Sequence, residues 1–176
     1  MSMASPLVRE IYELVDWTGR HAGPFDWSPI ERGLGLRVPE SFKEVAEFFG
    51  PGEFSQYLFV AGPGGGGVSD SLASQVAVWS EPNVGADLLR PYRTRPAEEG
   101  LVAWGSTCQG DTLFWLPCSP DPELWPILAL EEDSAAWHRF DMTVSEFILK
   151  VIGPNGGVDP FSVGRVVNPS FVPAEG

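Results

Sequence analysis

Residues 101–130, LVAWGSTCQGDTLFWLPCSPDPELWPILAL, contain three short apolar runs separated by two polar segments that are rich in turn-forming residues. The runs cover residues 101–104, 112–116 and 125–130. The first gap, residues 105–111, has the glycines and small polar residues that permit chain reversal, so the first two runs should pair as a hairpin. The second gap contains prolines, which lack the N–H that a β-ladder needs. The stretch therefore predicts three adjacent antiparallel strands whose aromatic side chains lie in the core.

Three helices are predicted in the first 50 residues. The first runs from Pro6 to near Gly19, because apolar residues recur there at helical spacing and proline suits the first turn. The second is short: Ser28 and Glu31 have the spacing of a capping box, and the helix should end before Leu36. The third begins at residues 38–39 and should lie against the sheet. Its apolar face consists of Phe42, Val45, Ala46 and Phe49.

A strand and a helix are expected on either side of a glycine-rich loop in the middle of the chain. Residues 54–60 are predicted as the strand, and residues 70–80 as the helix, capped by Ser69 or Asp70. The loop, residues 62–67, lacks the Gly-Lys-Ser/Thr ending of a phosphate-binding loop. We therefore do not expect it to bind phosphate.

The C-terminal part should contain a short strand, a capped helix and an irregular arm. The strand is expected at residues 135–140. Thr143 and Glu146 then form a capping box, and the helix that they begin should end at Gly153. Residues 153–176 contain four prolines and five glycines and are predicted to form an extended arm that either wraps the domain or is partly disordered.

Together these elements predict a single α+β domain in which a central, largely antiparallel sheet is flanked by helices. The domain should span residues 1–152, followed by the arm at residues 153–176. A chain of 176 residues is long enough to bury a core without disulfides or metal ions.

The chain is strongly acidic, since 24 Asp and Glu against 11 Lys and Arg give a net charge of −13. Such a surface repels phosphate backbones and attracts basic proteins, so we expect a basic protein partner and no nucleic acid. Solubility alone is the alternative explanation of this charge. A small basic cluster, Arg90, Arg93 and Arg95, lies beside acids and is expected to form a solvated surface with salt bridges.

Neither a membrane span nor a secretory signal is expected. No apolar run approaches the about 18–20 residues that a spanning helix needs. The N-terminus also lacks the basic and then apolar order of a signal peptide. These features predict a cytoplasmic protein that does not bind a membrane.

Few residues could perform catalysis. Two cysteines are too few for a disulfide framework or a zinc cluster, and Cys108 and Cys118 should flank a strand too long for a bridge, which predicts two free thiols. No known catalytic spacing occurs, so we expect no catalytic residue, no cofactor and no metal. A small hydrolase using Cys108, Asp111 and His138 is the weak exception. Otherwise His138 should be a hydrogen-bonded edge or core residue, and His21 a solvated one.

Several short motifs occur in order between about residues 25 and 150. The most specific are Ile30-Glu31-x-x-Leu34-Gly35 followed by Pro39-x-x-Phe42, and Trp104-Gly105 followed by Gly110-Asp111. The others are Phe49-Gly50, Phe114-Trp115, Trp125-Pro126 and the capped helix through Phe147. In this order the motifs resemble those of the SUKH superfamily, the Smi/Knr-like proteins.

The resemblance implies an α+β fold without a catalytic site. Many bacterial members are similar to immunity proteins that bind and neutralise a cognate polymorphic toxin, often a nuclease or another enzyme that modifies nucleic acids. Other members act as regulatory interaction proteins. The chain departs from the pattern in its glycine-rich loop and its C-terminal arm, so the binding surface does not transfer directly from the family.

The prediction that follows is a cytoplasmic immunity protein that blocks a basic toxin by non-catalytic binding. Acids of the central stretch and of the turn after it should contact the toxin: Asp111, Asp121, Glu123, Glu131, Glu132 and Asp133. A regulatory or scaffold interaction protein without a toxin is the first alternative. The small hydrolase is the second.

Overall fold

A seven-stranded antiparallel sheet forms the centre of the computed structural model, which describes residues 3–64, 71–80 and 87–174. The strands are β1 (Gly52–Phe54), β2 (Leu58–Val60), β3 (Val102–Thr107), β4 (Thr112–Trp115), β5 (Ile127–Leu130), β6 (Trp137–Phe140) and β7 (Phe171–Pro173). Their order across the sheet is β6-β5-β4-β3-β2-β1-β7. The helices are α1 (Pro6–Leu14), α2 (Ser28–Leu34), α3 (Glu40–Phe49), α4 (Leu72–Ser80) and α5 (Val144–Ile152). The predicted α+β class is confirmed.

The central stretch forms the three adjacent strands β3, β4 and β5, as predicted. Thr112 of β4 pairs with Ser106 on one side and with Leu130 on the other. Strand β3 continues to Thr107, beyond the predicted end at residue 104, and a register shift between Ala103 and Gly105 marks a β-bulge. The gap between β3 and β4 is therefore a tight turn of four residues, 108–111.

Both faces of the sheet are covered. On one face, Phe42 of α3 is fully buried, and its ring centroid lies 4.9 Å from that of Trp115. Phe147 of α5 lies 6.0 Å from Trp104 on the same face. A smaller cluster covers the other face, where Trp79 of α4 lies 5.4 Å from Phe114. This double coverage explains why all four residues of β5 are buried.

Helix α1 is shorter than predicted. It ends at Leu14 instead of near Gly19, because the chain turns away at Asp16, which has φ 49°.

Two other local predictions were wrong. Residues 54–60 form a hairpin instead of one strand, because Ser55 and Gln56 have positive φ and the Tyr57 N–H donates to the Phe54 carbonyl at 3.0 Å. The capping box at Ser28 does not form, since Ser28 is already the first helical residue and Trp27 occupies the cap position. The Glu31 carboxylate turns instead to Val38 and Lys43, accepting from the Val38 N–H at 2.9 Å and pairing with the Lys43 ammonium at 2.7 Å.

The helix starts further along the chain behave differently. At α5 the predicted capping box is present: Thr143 Oγ1 accepts from the Glu146 N–H at 3.3 Å, and Glu146 Oε2 accepts from the Thr143 N–H at 2.7 Å. At α4, Ser71 Oγ accepts from the Ser74 N–H at 3.1 Å. The predicted caps of α4, Ser69 and Asp70, lie outside the described residues, as do residues 65–67 of the glycine-rich loop.

The C-terminal arm wraps the domain, which is one of the two outcomes expected for it. Its last part forms β7, which pairs with β1 through Val172 opposite Glu53. Phe161 and Phe171 of the arm are 1% and 7% exposed and belong to the main core. The arm thus supplies an edge strand of the sheet.

Candidate interaction surface

The six candidate acids lie at two opposite ends of the sheet. Because neighbouring strands are antiparallel, the β1–β2, β3–β4 and β5–β6 turns lie together at one end, which we name the turn end. The β4–β5 segment, residues 116–126, lies at the other, which we name the connection end. Asp111, Glu131, Glu132 and Asp133 are at the turn end, and Asp121 and Glu123 are at the connection end. Four strand residues separate the two groups by about 13 Å, so the six acids do not form one continuous surface.

Asp111 joins two turns at the turn end. Its side chain is buried, at 6% exposure for the residue. The Thr107 hydroxyl donates to Asp111 Oδ2 at 2.6 Å, and the Glu132 N–H donates to Oδ1 at 3.0 Å. Because both oxygens are occupied inside the protein, Asp111 is a support for the acidic turn and is unsuited to direct contact with a partner, contrary to the expectation from the sequence.

The third turn is attached to the other two through its main chain. The Cys108 N–H donates to the Tyr57 carbonyl at 2.8 Å. The Tyr57 side chain is also buried, and burial together with the nearby Asp111 carboxylate raises the pKa of Tyr57 to about 12. Main-chain and side-chain bonds therefore hold the three turns as one unit.

The three acids of the β5–β6 turn differ in exposure and in the hydrogen bonds that their carboxylates accept. Glu132 and Asp133 are exposed. Glu131 is half-buried, and its Oε2 lies 2.9 Å from His138 Nε2 and 2.9 Å from the Ser134 hydroxyl. Hydrogen bonds from His138 and then from Ser134 lower the pKa of Glu131, so this carboxylate stays ionised to lower pH than usual. Glu132 and Asp133 are the two side chains at this turn that remain available to a partner.

A glycine permits the close contact between the β3–β4 and β5–β6 turns. Gly110 has φ +91°, in the left-handed region that favours glycine. A Cβ at this position would lie 3.2 Å from Glu132 Cγ. The position of Glu132 therefore depends on Gly110 as well as on Asp111.

At the connection end the two acids are bound to main-chain donors. Glu123 Oε1 accepts from the Ser41 N–H at 3.0 Å and thereby caps the N-terminus of α3. Asp121 Oδ1 accepts from the Glu123 N–H at 3.0 Å and begins a 3₁₀ turn, Pro122–Leu124. Sequence analysis missed this cap because Glu123 and Ser41 are 82 residues apart and no local pattern links them.

The basic cluster is spread between the two ends of the sheet. Arg93 and Arg95 lie beside residues 116–117 at the connection end, whereas the Arg90 carbonyl accepts from the indole of Trp137 at the start of β6, towards the turn end. The Arg95 guanidinium donates to the Leu34 carbonyl at 2.6 Å, which fastens the segment before β3 to α2. Arg90 pairs with Asp87 at 2.9 Å, and both side chains are largely exposed. Arg93 lines a surface hollow with Glu98 and Glu99. The arrangement includes the solvated salt bridge that the sequence predicted.

The proposed hydrolase residues are engaged elsewhere. His138 is bonded to Glu131, and its ring centroid is 5.3 Å from that of Phe161. Asp111 is bonded to Thr107 and Glu132. Across residues 3–64, 71–80 and 87–174, no hydrogen bond joins Cys108, Asp111 and His138 to one another.

The remaining candidate ligands and nucleophiles are dispersed. Cys108 and Cys118 are free, as predicted, and both are exposed. His21 is exposed, with its ring 4.2 Å from that of Phe48. In the part of the chain that the structure describes, no group of three or more His, Cys, Asp or Glu is placed to hold a metal ion.

No family model, curated protein or solved structure matches the chain. The resemblance to the SUKH superfamily therefore stays a prediction that rests on the motifs. Among the described helices, none combines the length and the apolar character needed to cross a membrane.

Proposed function

We propose that this protein is a cytoplasmic immunity protein that binds a basic toxin and blocks it without catalysis. The observation that supports the proposal most is the turn end of the sheet, where Glu132 and Asp133 are exposed on a turn held by the buried Asp111. Residues 55–57, 108–111 and 131–136 contain four acids and no lysine or arginine. A fixed turn with two exposed carboxylates and no cation in these three segments suits a basic protein.

The mechanism is stoichiometric blockade. Long-range attraction to the net charge of −13 would speed the encounter, and the exposed carboxylates would then pair with cations on the toxin. Exposed charges are screened beyond about 8 Å at physiological ionic strength. Association should therefore slow as salt is added.

The experiment begins with the tagged protein as bait in its native lysate, followed by mass spectrometry of what it carries. The expected product is a basic toxin whose activity falls to zero at one equivalent of this protein. A captured partner without toxic activity would favour the alternative of a regulatory interaction protein. A captured partner that is acidic would contradict the electrostatic proposal.

Charge reversal then locates the contact. Glu132→Lys combined with Asp133→Lys should lower the association rate with the captured toxin by about tenfold or more at low salt. Asp121→Lys is the control, since it reverses an exposed acid at the connection end. Equal rates for both variants, or rates indifferent to salt, would exclude the turn end as the docking surface.

A further inference from the structure

The outer side of β6 is an open edge of the sheet. The Glu131 N–H donates to the Ala136 carbonyl at 2.9 Å, and hydrogen-bonded pairs alternate along an antiparallel ladder. The same alternation places His138 and Phe140 in bonded pairs with β5, and it turns the main-chain N–H and C=O of Trp137 and Arg139 outwards. Within the described ranges, these outward groups have no protein partner.

The pairing of β5 with β4 independently shows which residues of β5 bond to β6. The Leu116 N–H donates to the Pro126 carbonyl at 3.2 Å. Counting from that pair, Leu128 and Leu130 bond to β4, which leaves Ile127 and Ala129 to bond to β6. Both counts give the same outward groups on β6.

The opposite edge of the sheet is blocked. The Ser55 N–H donates to the Ser170 carbonyl, and the Ala174 N–H donates to the Pro51 carbonyl, both at 2.8–2.9 Å. The alternation then turns Phe171 and Pro173 of β7 outwards, and proline has no N–H to offer. Edge prolines are a common protection against strand addition, and β6 contains none.

The side chains of β6 are fixed before any partner arrives. His138 is held by Glu131, as described above. The Trp137 indole N–H donates to the Arg90 carbonyl at 3.0 Å, and its ring centroid lies 4.8 Å from that of Tyr92. A strand that is already ordered loses little conformational entropy when another strand pairs with it.

Acids lie beyond both ends of this edge. Glu132 and Asp133 are exposed before β6 begins, and Asp141 is exposed directly after it. The one cation on the strand, Arg139, pairs with Asp141 at 3.1 Å. An extended segment lying along β6 would therefore meet a negative field at one end and a nearly neutral one at the other.

We propose that β6 receives an extended, lysine- or arginine-rich segment of the partner as an eighth strand. Its main chain would pair with Trp137 and Arg139, and its cationic side chains would face Glu132 and Asp133. The inference rests on the proposed function for the basic character of the partner, and it adds the mode of binding.

The first test uses a synthetic ten-residue peptide that alternates lysine with threonine. Hydrogen exchange of the wild-type protein, followed by NMR, should show the Trp137 and Arg139 amides slowed by about tenfold or more at saturating peptide. A peptide of the same sequence, N-methylated at every second residue on the side that pairs, should lose this protection. Binding of the two peptides with equal affinity would overturn the proposal.

The second test removes one outward donor from the protein. Arg139→Pro removes the arginine side chain and also the N–H that faces solvent, and it keeps the hydrogen bonds to β5. Arg139→Ala removes the arginine side chain but keeps that N–H. We expect Arg139→Pro to bind the peptide about fivefold more weakly than Arg139→Ala, because one hydrogen bond to the peptide is lost. Equal affinities would contradict strand addition. If the proline variant does not fold, the N-methylated peptide decides the question on the wild-type protein.

Failure of this inference can be told from failure of the proposed function. Peptide binding that depends on Glu132 and Asp133 without amide protection would overturn strand addition and leave the acidic surface standing. Amide protection by the peptide, together with a native lysate that yields no basic toxin, would support strand addition and contradict the proposed function. Protection that rises with protein concentration in the absence of peptide would show that a second copy occupies the edge, and would also overturn the inference.

Discussion

The two ends of the sheet use the same residue type in different ways. At the turn end, short turns of three to six residues are bonded to one another, and the buried Asp111 leaves Glu132 and Asp133 exposed. At the connection end, the longer segment before β5 folds back onto α3, and the Glu123 carboxylate caps that helix. The difference teaches that an acid becomes a surface charge or a structural acceptor according to the main-chain donors that the fold brings to it.

The largest effect should come from Asp111→Ala, which removes the acceptor shared by two turns. The buried Thr107 hydroxyl and the partly buried Glu132 N–H would lose their acceptor, and we expect the free energy of unfolding to fall by about 3 kcal/mol. Urea denaturation measures this loss. Asp121→Ala at the connection end is the control and should cost about 1 kcal/mol or less. Similar losses for both variants would remove the contrast between the ends.

A smaller loss is expected from Gly110→Ala. An alanine at φ +91° is strained, and its Cβ would press on the Glu132 side chain, so unfolding free energy should fall by about 1–2 kcal/mol. Gly33→Ala is the matched control, because its Cβ would meet no atom within 4 Å inside α2. That variant should be more stable than wild type by about 0.5–1 kcal/mol. Thermal or urea unfolding of the pair would test the sign of each effect.

At the connection end, Glu123→Ala should destabilise the protein by about 1 kcal/mol through loss of the cap on α3. Glu123→Gln keeps an acceptor oxygen and should cost less. Hydrogen exchange of the Ser41 amide should quicken in the alanine variant and change little in the glutamine variant. Unchanged exchange in both would show that the carboxylate does not cap the helix in solution.

The smallest effect at neutral pH concerns Tyr57, whose raised pKa acts only in alkaline solution. A pKa of about 12 in the folded protein, against an ordinary value near 10, means that the folded state holds the phenolic proton more tightly. The corresponding stability is fully present below about pH 10 and is lost as pH rises towards 12. Unfolding at pH 8 and pH 11 should show this loss in wild type and a smaller one in Tyr57→Phe. Absorbance titration of Asp111→Asn should place the Tyr57 pKa lower than in wild type.

Local patterns predicted the elements whose signals lie close together in the chain. The capping box of α5 joins residues three apart, and the strands β3, β4 and β5 follow from the alternation of apolar runs and turns. The second capping box failed because the fold offers Glu31 stronger partners, a main-chain N–H at Val38 and a cation at Lys43. The sequence does not predict the β1–β2 turn, because Ser55 and Gln56 adopt positive φ although neither is glycine.

The candidate surface was predictable only as a set of acids. Spacing along the chain placed all six near the central meander, yet the antiparallel order of the strands sends Asp121 and Glu123 to the far end. Burial, which removes Asp111 from direct contact, depends on Thr107 and on a turn 21 residues away. No sequence window contains those relations.

The sequence by itself determined the α+β class, the central antiparallel meander, the capped last helix and the strong negative charge, because each depends on nearby residues or on composition. Tertiary structure alone decided which carboxylates are exposed, which of them cap a helix or brace a turn, and which edge of the sheet is open. The physical reason is that hydrogen-bond partners and burial are set by contacts between distant segments. Pro173 blocks one edge and Asp111 supports the acidic turn only because the strands meet in this order.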